Sequence, residues 1–88
     1  MADMDPTVKA YFDLGMSHYN RGDFLRAAEQ WKLAVRHDPQ FIAGHRYLAL
    51  AYEKLGWSHK AKKQWEAYLK VEKNEVARSQ ITERLKNL

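Results

Sequence analysis

The chain of 88 residues has no cysteine, which removes a disulfide framework, thiolate chemistry and any cysteine-based zinc site. No apolar run approaches the length of a membrane span. No stretch of period-two alternation reaches strand length, so a β-rich fold is not expected. The start, Met-Ala-Asp-Met-Asp, lacks the basic residues and apolar core of a signal peptide, and the cytoplasm is the expected compartment. The sequence contains no HExxH, GxSxG, P-loop or GxGxxG pattern. Its four histidines, His18, His37, His45 and His59, include no pair at helical metal-ligand spacing. Asp13 has no carboxylate partner one helical turn away for acid–base work. No enzyme, metal or cofactor is therefore expected.

What is present suits one small globular domain. Hydrophobic residues make up 45%, enough for a core. At this size only about 60% of the unfolded chain's surface is buried, so stability should be modest. The net charge of +4 is unevenly placed. Residues 1–44 hold five Lys/Arg and six Asp/Glu; residues 45–88 hold ten and five. The basic half could attract an acidic partner or nucleic acid, although a solvated helix surface gives the same pattern.

Five helices are predicted from apolar spacing and capping signals. Asp5 and Pro6 open the first, which carries Val8, Tyr11, Phe12, Leu14, Gly15 and His18. Gly22 can take a left-handed conformation and Asp23 can cap the second helix, about Phe24 to His37, which Asp38-Pro39 ends. The third runs from about Phe41 to Lys54, and Gly56 stops it. Ser58 is the expected cap of the fourth, which carries Ala61, Trp65, Tyr68 and Leu69. Asn74 is the expected cap of a fifth, with Ile81, Leu85 and Leu88 on one stripe.

The sequence also repeats itself at an offset of 34 residues. Leu14 matches Leu48, Gly22 matches Gly56, Ala27 matches Ala61, Gln30 matches Gln64 and Trp31 matches Trp65. This pattern resembles the tetratricopeptide repeat (TPR), a helix–turn–helix unit of 34 residues. In the first copy Tyr11, Leu14, Gly15, His18, Gly22, Ala27, Trp31, Ala34 and Pro39 fall on the family's signature places. The second copy departs at Tyr68, where the family has alanine, and at Lys73, where it has proline. The missing proline predicts that the fourth helix runs on toward the cap. The resemblance implies an all-α solenoid of antiparallel helices: a flexible acidic leader over 1–6, repeat one over 8–41, repeat two over 42–75 and a capping helix over 75–88. The single domain spans 7–88. Independently of the family, small residues at Gly15/Ala49 and Ala27/Ala61 leave room for Trp31 and Trp65 to fill the core.

Such arrays bind other proteins in a concave groove lined by the first helix of each unit. Carried onto this sequence, the groove residues are Lys9, Phe12, Met16, Tyr19 and Asn20, then Arg46, Leu50, Glu53 and Lys54, with Ala43 between them. Phe12, Met16 and Tyr19 lie at i, i+4 and i+7, off the stripe expected to pack on the second helix. They form an apolar anchor strip for a peptide or helix of a partner. The carboxylate clamp of some family members needs lysine and asparagine where this chain has Phe12 and Met16, so an apolar or amphipathic ligand is expected. Leu50 could instead pack against the fifth helix. Trp57, Lys60 and Lys63 form a possible second surface. The expected role is that of an adaptor or scaffold. Two alternatives stand beside it: a self-assembling structural module, because two units are few, and weak RNA or anionic-surface binding through the basic half. Nucleic acid is the less expected partner, since a row of stacking aromatics beside the lysines is missing.

Overall fold

The computed structural model describes residues 4–88; residues 1–3 of the expected leader lie outside the described residues. Five helices follow in order: α1 Pro6–Asn20, α2 Phe24–His37, α3 Ile42–Lys54, α4 Ser58–Val71 and α5 Glu75–Leu85. Among the described residues there is no strand. Successive helices pack on one another, and α5 rests more lightly on α4 than the others do on their neighbours. The extents of 35 × 32 × 18 Å fit a slab two helices thick.

The first helix begins where its chemistry directs. The Asp5 carboxylate accepts the Thr7 N–H at 2.7 Å and the Val8 N–H at 3.4 Å, and Pro6 needs no donor partner at the first turn. Asp5 also lies 3.9 Å from the His37 ring. Asp5 is thus the cap and Pro6 the first helical residue, as expected.

The two inter-helix turns of the pairs are built alike. Gly22 has φ +80° and Gly56 has φ +75°. At the first, Gly22 N–H donates to Tyr19 C=O and Asp23 N–H to His18 C=O; at the second, Gly56 donates to Glu53 and Trp57 to Tyr52, with all four bonds at 2.9 Å. This is the Schellman closure, in which a left-handed residue lets the chain turn back and satisfy the last carbonyls. A side chain at either glycine would be strained by the backbone itself.

After the turns the copies part. Asp23 caps α2 by accepting the Arg26 N–H at 3.2 Å. Thirty-four residues on, the capping place belongs to Trp57, whose side chain gives no cap bond. Ser58 is already the first helical residue, so the expected serine cap is corrected. The closure at Gly56 fixes where α4 starts, and Ser58 falls one position too late. Loss of a capping oxygen costs a helix about 1 kcal/mol.

The expectation that α4 runs on without a proline is also corrected. It ends at Val71, the equivalent of His37, where α2 ends. The cause comes from the next helix. The Arg78 guanidinium donates to the carbonyls of Leu69 and Glu72, satisfying groups that the end of α4 leaves open. Asn74 then caps α5 by accepting the Ala77 N–H at 2.9 Å. Within α5, Ile81 is buried and Leu85 half-buried against Trp65 and Tyr68. Leu88, expected on the same stripe, lies past the helix end and is exposed.

Trp31 and Trp65 are the largest fully buried side chains. Trp31 lies on Gly15, where a Cβ would come within 2.3 Å of its Nε1, and its N–H donates to Phe12 C=O at 3.1 Å. At the equivalent place in the second pair stands Ala49, fully buried. There the Trp65 N–H donates to the Glu53 carboxylate instead. Buried His45 is held from both sides. The Gln64 amide donates to Nδ1 at 2.7 Å, so the ring carries its hydrogen on Nε2 and donates it to Pro39 C=O at 2.7 Å. His18, in contrast, is half-buried and has no ring hydrogen bond among those described.

Candidate functional site

The α1 and α3 side carries most of the predicted groove residues. Phe12, Met16 and Tyr19 are half-buried rather than free, and all three pack against the core cluster that contains Trp31. The Phe12 ring meets Phe41 edge-on at 5.2 Å and Tyr47 at 5.7 Å. The Tyr19 ring lies 5.5 Å from Trp31 and 5.2 Å from Phe24. The strip expected to stand outside the helix packing is thus the outer layer of that packing. Its position at i, i+4 and i+7 puts it on the edge of the buried stripe, where rings cover the Trp31 indole and keep one side to solvent. Tyr47 belongs to the same layer, 5.4 Å from Trp31, and is not among the predicted groove residues. Its spacing of four from Ala43, three from Leu50 and seven from Lys54 was the available signal.

Polar groups border the layer. Lys9 is exposed and bonded to Asp13 at 2.7 Å. Asn20, Arg46 and Lys54 are exposed, and among the described residues neither Arg46 nor Lys54 forms an ion pair. Ala43 is half-buried.

The far end of the predicted groove is occupied by α5. Leu50 packs with Ile81 and Leu85. Arg84 donates from Nε and Nη2 to the two Glu53 oxygens at 2.7 and 2.6 Å, and its guanidinium lies 5.5 Å over the Trp65 ring. These bonds hold the Glu53 carboxyl below its usual range, against a burial effect that pushes it up, and the Trp65 N–H adds to the lowering. Glu53 and Leu50 are therefore corrected from open groove contacts to the seat of α5. The reason is the fork of Arg84, which matches a carboxylate in two bonds, reaching back 31 positions. Nearby, the Tyr68 hydroxyl donates to Glu72 at 2.9 Å. Burial, followed by that carboxylate, raises Tyr68. The Asn74 backbone N–H is the leading cause of the lowered Glu72.

The second predicted surface is on the α2 and α4 side. Trp57 stacks on Tyr52 at 6.0 Å and 30° while 40% exposed. The Lys60 ammonium sits 5.1 Å from the Trp57 ring centre and 5.7 Å from that of Tyr52. The indole is both a packing residue under a lysine and a partly open face. Lys63 is exposed one turn further along α4. Burial raises the Tyr52 hydroxyl.

A third surface lies on the outer side of α1. Leu14 is 50% exposed, whereas its equivalent Leu48 is 1% exposed. Leu48 has α2 beside it; Leu14 has no helix in that position. Tyr11 and His18 flank Leu14 on α1, in the places that His45 and Tyr52 occupy on α3.

Among the described residues no three His, Asp or Glu side chains converge into a cation site, and no helix is long and apolar enough to cross a membrane. The arrangement offers apolar rings, unpaired cations and an exposed leucine, which are the materials of recognition. The fold that carries these surfaces is an all-α helical repeat. The family model of the tetratricopeptide repeat matches residues 8–41, which supports assigning that segment, α1 and α2 with the turn after them, to the tetratricopeptide-repeat family. A search of curated proteins returns no match. Repeats of this family generally mediate protein–protein interaction and are typically not enzymatic.

Proposed function

We propose that this chain is an adaptor that holds a short helix or peptide of a partner protein against the α1–α3 side. The carrying observation is the half-buried row of Phe12, Met16, Tyr19 and Tyr47 over Trp31, with unpaired Arg46 and Lys54 beside it. Apolar side chains of the ligand would rest on the rings, and the cations would select acidic flanks. Because α5 takes Leu50 and Glu53, the docking face is α1 and the edge of α3 that carries Arg46, Tyr47 and Lys54. In this reading residues 42–75 are a second, altered repeat and 75–88 its cap. The test is affinity capture from the source cell with wild-type protein and a folded Met16→Glu/Arg46→Glu variant. Partners held by the wild type and lost by the variant support the groove. Partners that bind both equally place the docking elsewhere and refute it.

The open Leu14 face favours a second reading, in which two copies meet through α1. A Leu14→Glu variant that remains monomeric at concentrations where the wild type forms dimers, measured by sedimentation, supports that reading. A monomeric wild type at high micromolar concentration removes it.

A further inference from the structure

We infer that the cleft between α2 and α4 is a separate docking face for an acidic protein segment with one bulky apolar anchor. The cleft has a volume of about 200 Å³ and is lined by Leu25, Ala28, Lys32, Tyr52, Trp57 and Lys60, with Glu29 at its edge. Its apolar end is open: Leu25 is 47% and Trp57 40% exposed. Beyond the lining, exposed Arg36 follows Lys32 about one turn along α2, and exposed Lys63 follows Lys60 about one turn along α4.

Charge decides the occupant. Lys32, Arg36, Lys60 and Lys63 form no ion pair among the described residues, and Glu29 is the one carboxylate lining the cleft. Unpaired cations beside an exposed indole match a ligand that brings carboxylates around a leucine or phenylalanine. Nucleic acid fits less well. One face of Trp57 is already stacked on Tyr52, the lining offers no row of free rings, and Glu29 repels phosphate. Trp57 itself argues for use. It stands where α2 has a capping aspartate, so α4 lacks a side-chain cap and presents an indole to solvent in its place. A local rule broken in this way is expected where a surface has a task. This face is independent of the α1–α3 groove.

The test uses the full chain and a fluorescein-labelled synthetic helical peptide carrying glutamates around one leucine. A second peptide has glutamine in place of every glutamate. Fluorescence anisotropy is expected to show the acidic peptide binding at least about tenfold more tightly, with affinity falling as salt rises. Lys60→Glu/Lys63→Glu should lose at least about tenfold. So should Trp57→Asp, which restores the cap seen on α2 and keeps the far-UV circular dichroism of the wild type. Lys73→Glu, the same change of charge at an exposed position outside the cleft, should bind as the wild type does. The inference is overturned by any of four results: no binding of the acidic peptide at low salt, equal affinity for both peptides, undiminished binding by folded Trp57→Asp, or preference for an oligouridylate over the acidic peptide.

Discussion

Replacing Gly15 with alanine tests the packing of Trp31 by the sign of the effect alone. On helix propensity, Gly→Ala inside a helix stabilises by about 1 kcal/mol. The structure demands the reverse. The new methyl would lie 2.3 Å from Trp31 Nε1, 2.5 Å from Cδ1 and 2.6 Å from Cε2, whereas non-bonded carbons rest at about 3.5–4.0 Å. The fully buried indole would have to withdraw by about 1 Å into a layer already filled by Phe12, Tyr19 and Tyr47. Overpacking of this kind costs about 1–3 kcal/mol, and stretching the indole bond to Phe12 C=O costs about 1 kcal/mol more. Set against the propensity gain, Gly15→Ala should lose about 1–3 kcal/mol. In a domain this small that lowers the thermal midpoint by about 5–20 °C. Thermal unfolding followed by far-UV circular dichroism measures it, with urea unfolding as the second probe. The opposite exchange, Ala49→Gly, should also destabilise, by about 1–2 kcal/mol, because there a buried methyl is lost and the helix gains a glycine. A Gly15→Ala protein as stable as the wild type, or more so, would refute the account of why the two tryptophans are seated differently.

The bond between Arg84 and Glu53 should make stability fall in acid. The folded state lowers the Glu53 carboxyl from its usual 4.5, so its contribution is complete above that pH and is lost as pH drops through the lowered folded value. Urea midpoints measured from neutral to acid pH should decline less steeply in Glu53→Gln, with the part due to Glu72 remaining. Arg78→Ala should cost about 1 kcal/mol by uncapping α4 and should speed amide exchange across α5 before α1 to α3, while uniform exchange would show that α5 is not held separately.

Features read correctly from sequence depend on a residue's own chemistry or its near neighbours. Asp5, Asp23 and Asn74 cap because a short side-chain oxygen reaches an N–H two or three positions on. Gly22 and Gly56 turn the chain because they alone among the described residues adopt positive φ. The Trp31 and Trp65 packing was legible for a different reason: the 34-residue offset repeats the small residues and the indole together. What was misread involves partners far along the chain. Arg78, from the next helix, ends α4 where a proline was missed. Arg84 takes Glu53 out of the groove through a bond that no spacing rule suggests. Ser58 misled because the register of the Gly56 closure, rather than residue preference, chooses the capping position. Leu14 and Leu48 are the same residue at the same place, and only the presence or absence of a neighbouring helix separates a surface leucine from a core one.

The three indoles of this protein differ in their access to water. Trp31 and Trp65 are sealed at 0% and 1% exposure, and Trp57 stands at 40%. A small quencher dissolved in the solvent, such as acrylamide, collides with Trp57 alone while the fold is intact. The quenchable fraction of the native emission therefore reports on the α2–α4 cleft without any label. The fraction that becomes quenchable only on denaturation reports the opening of the two core clusters around Trp31 and Trp65.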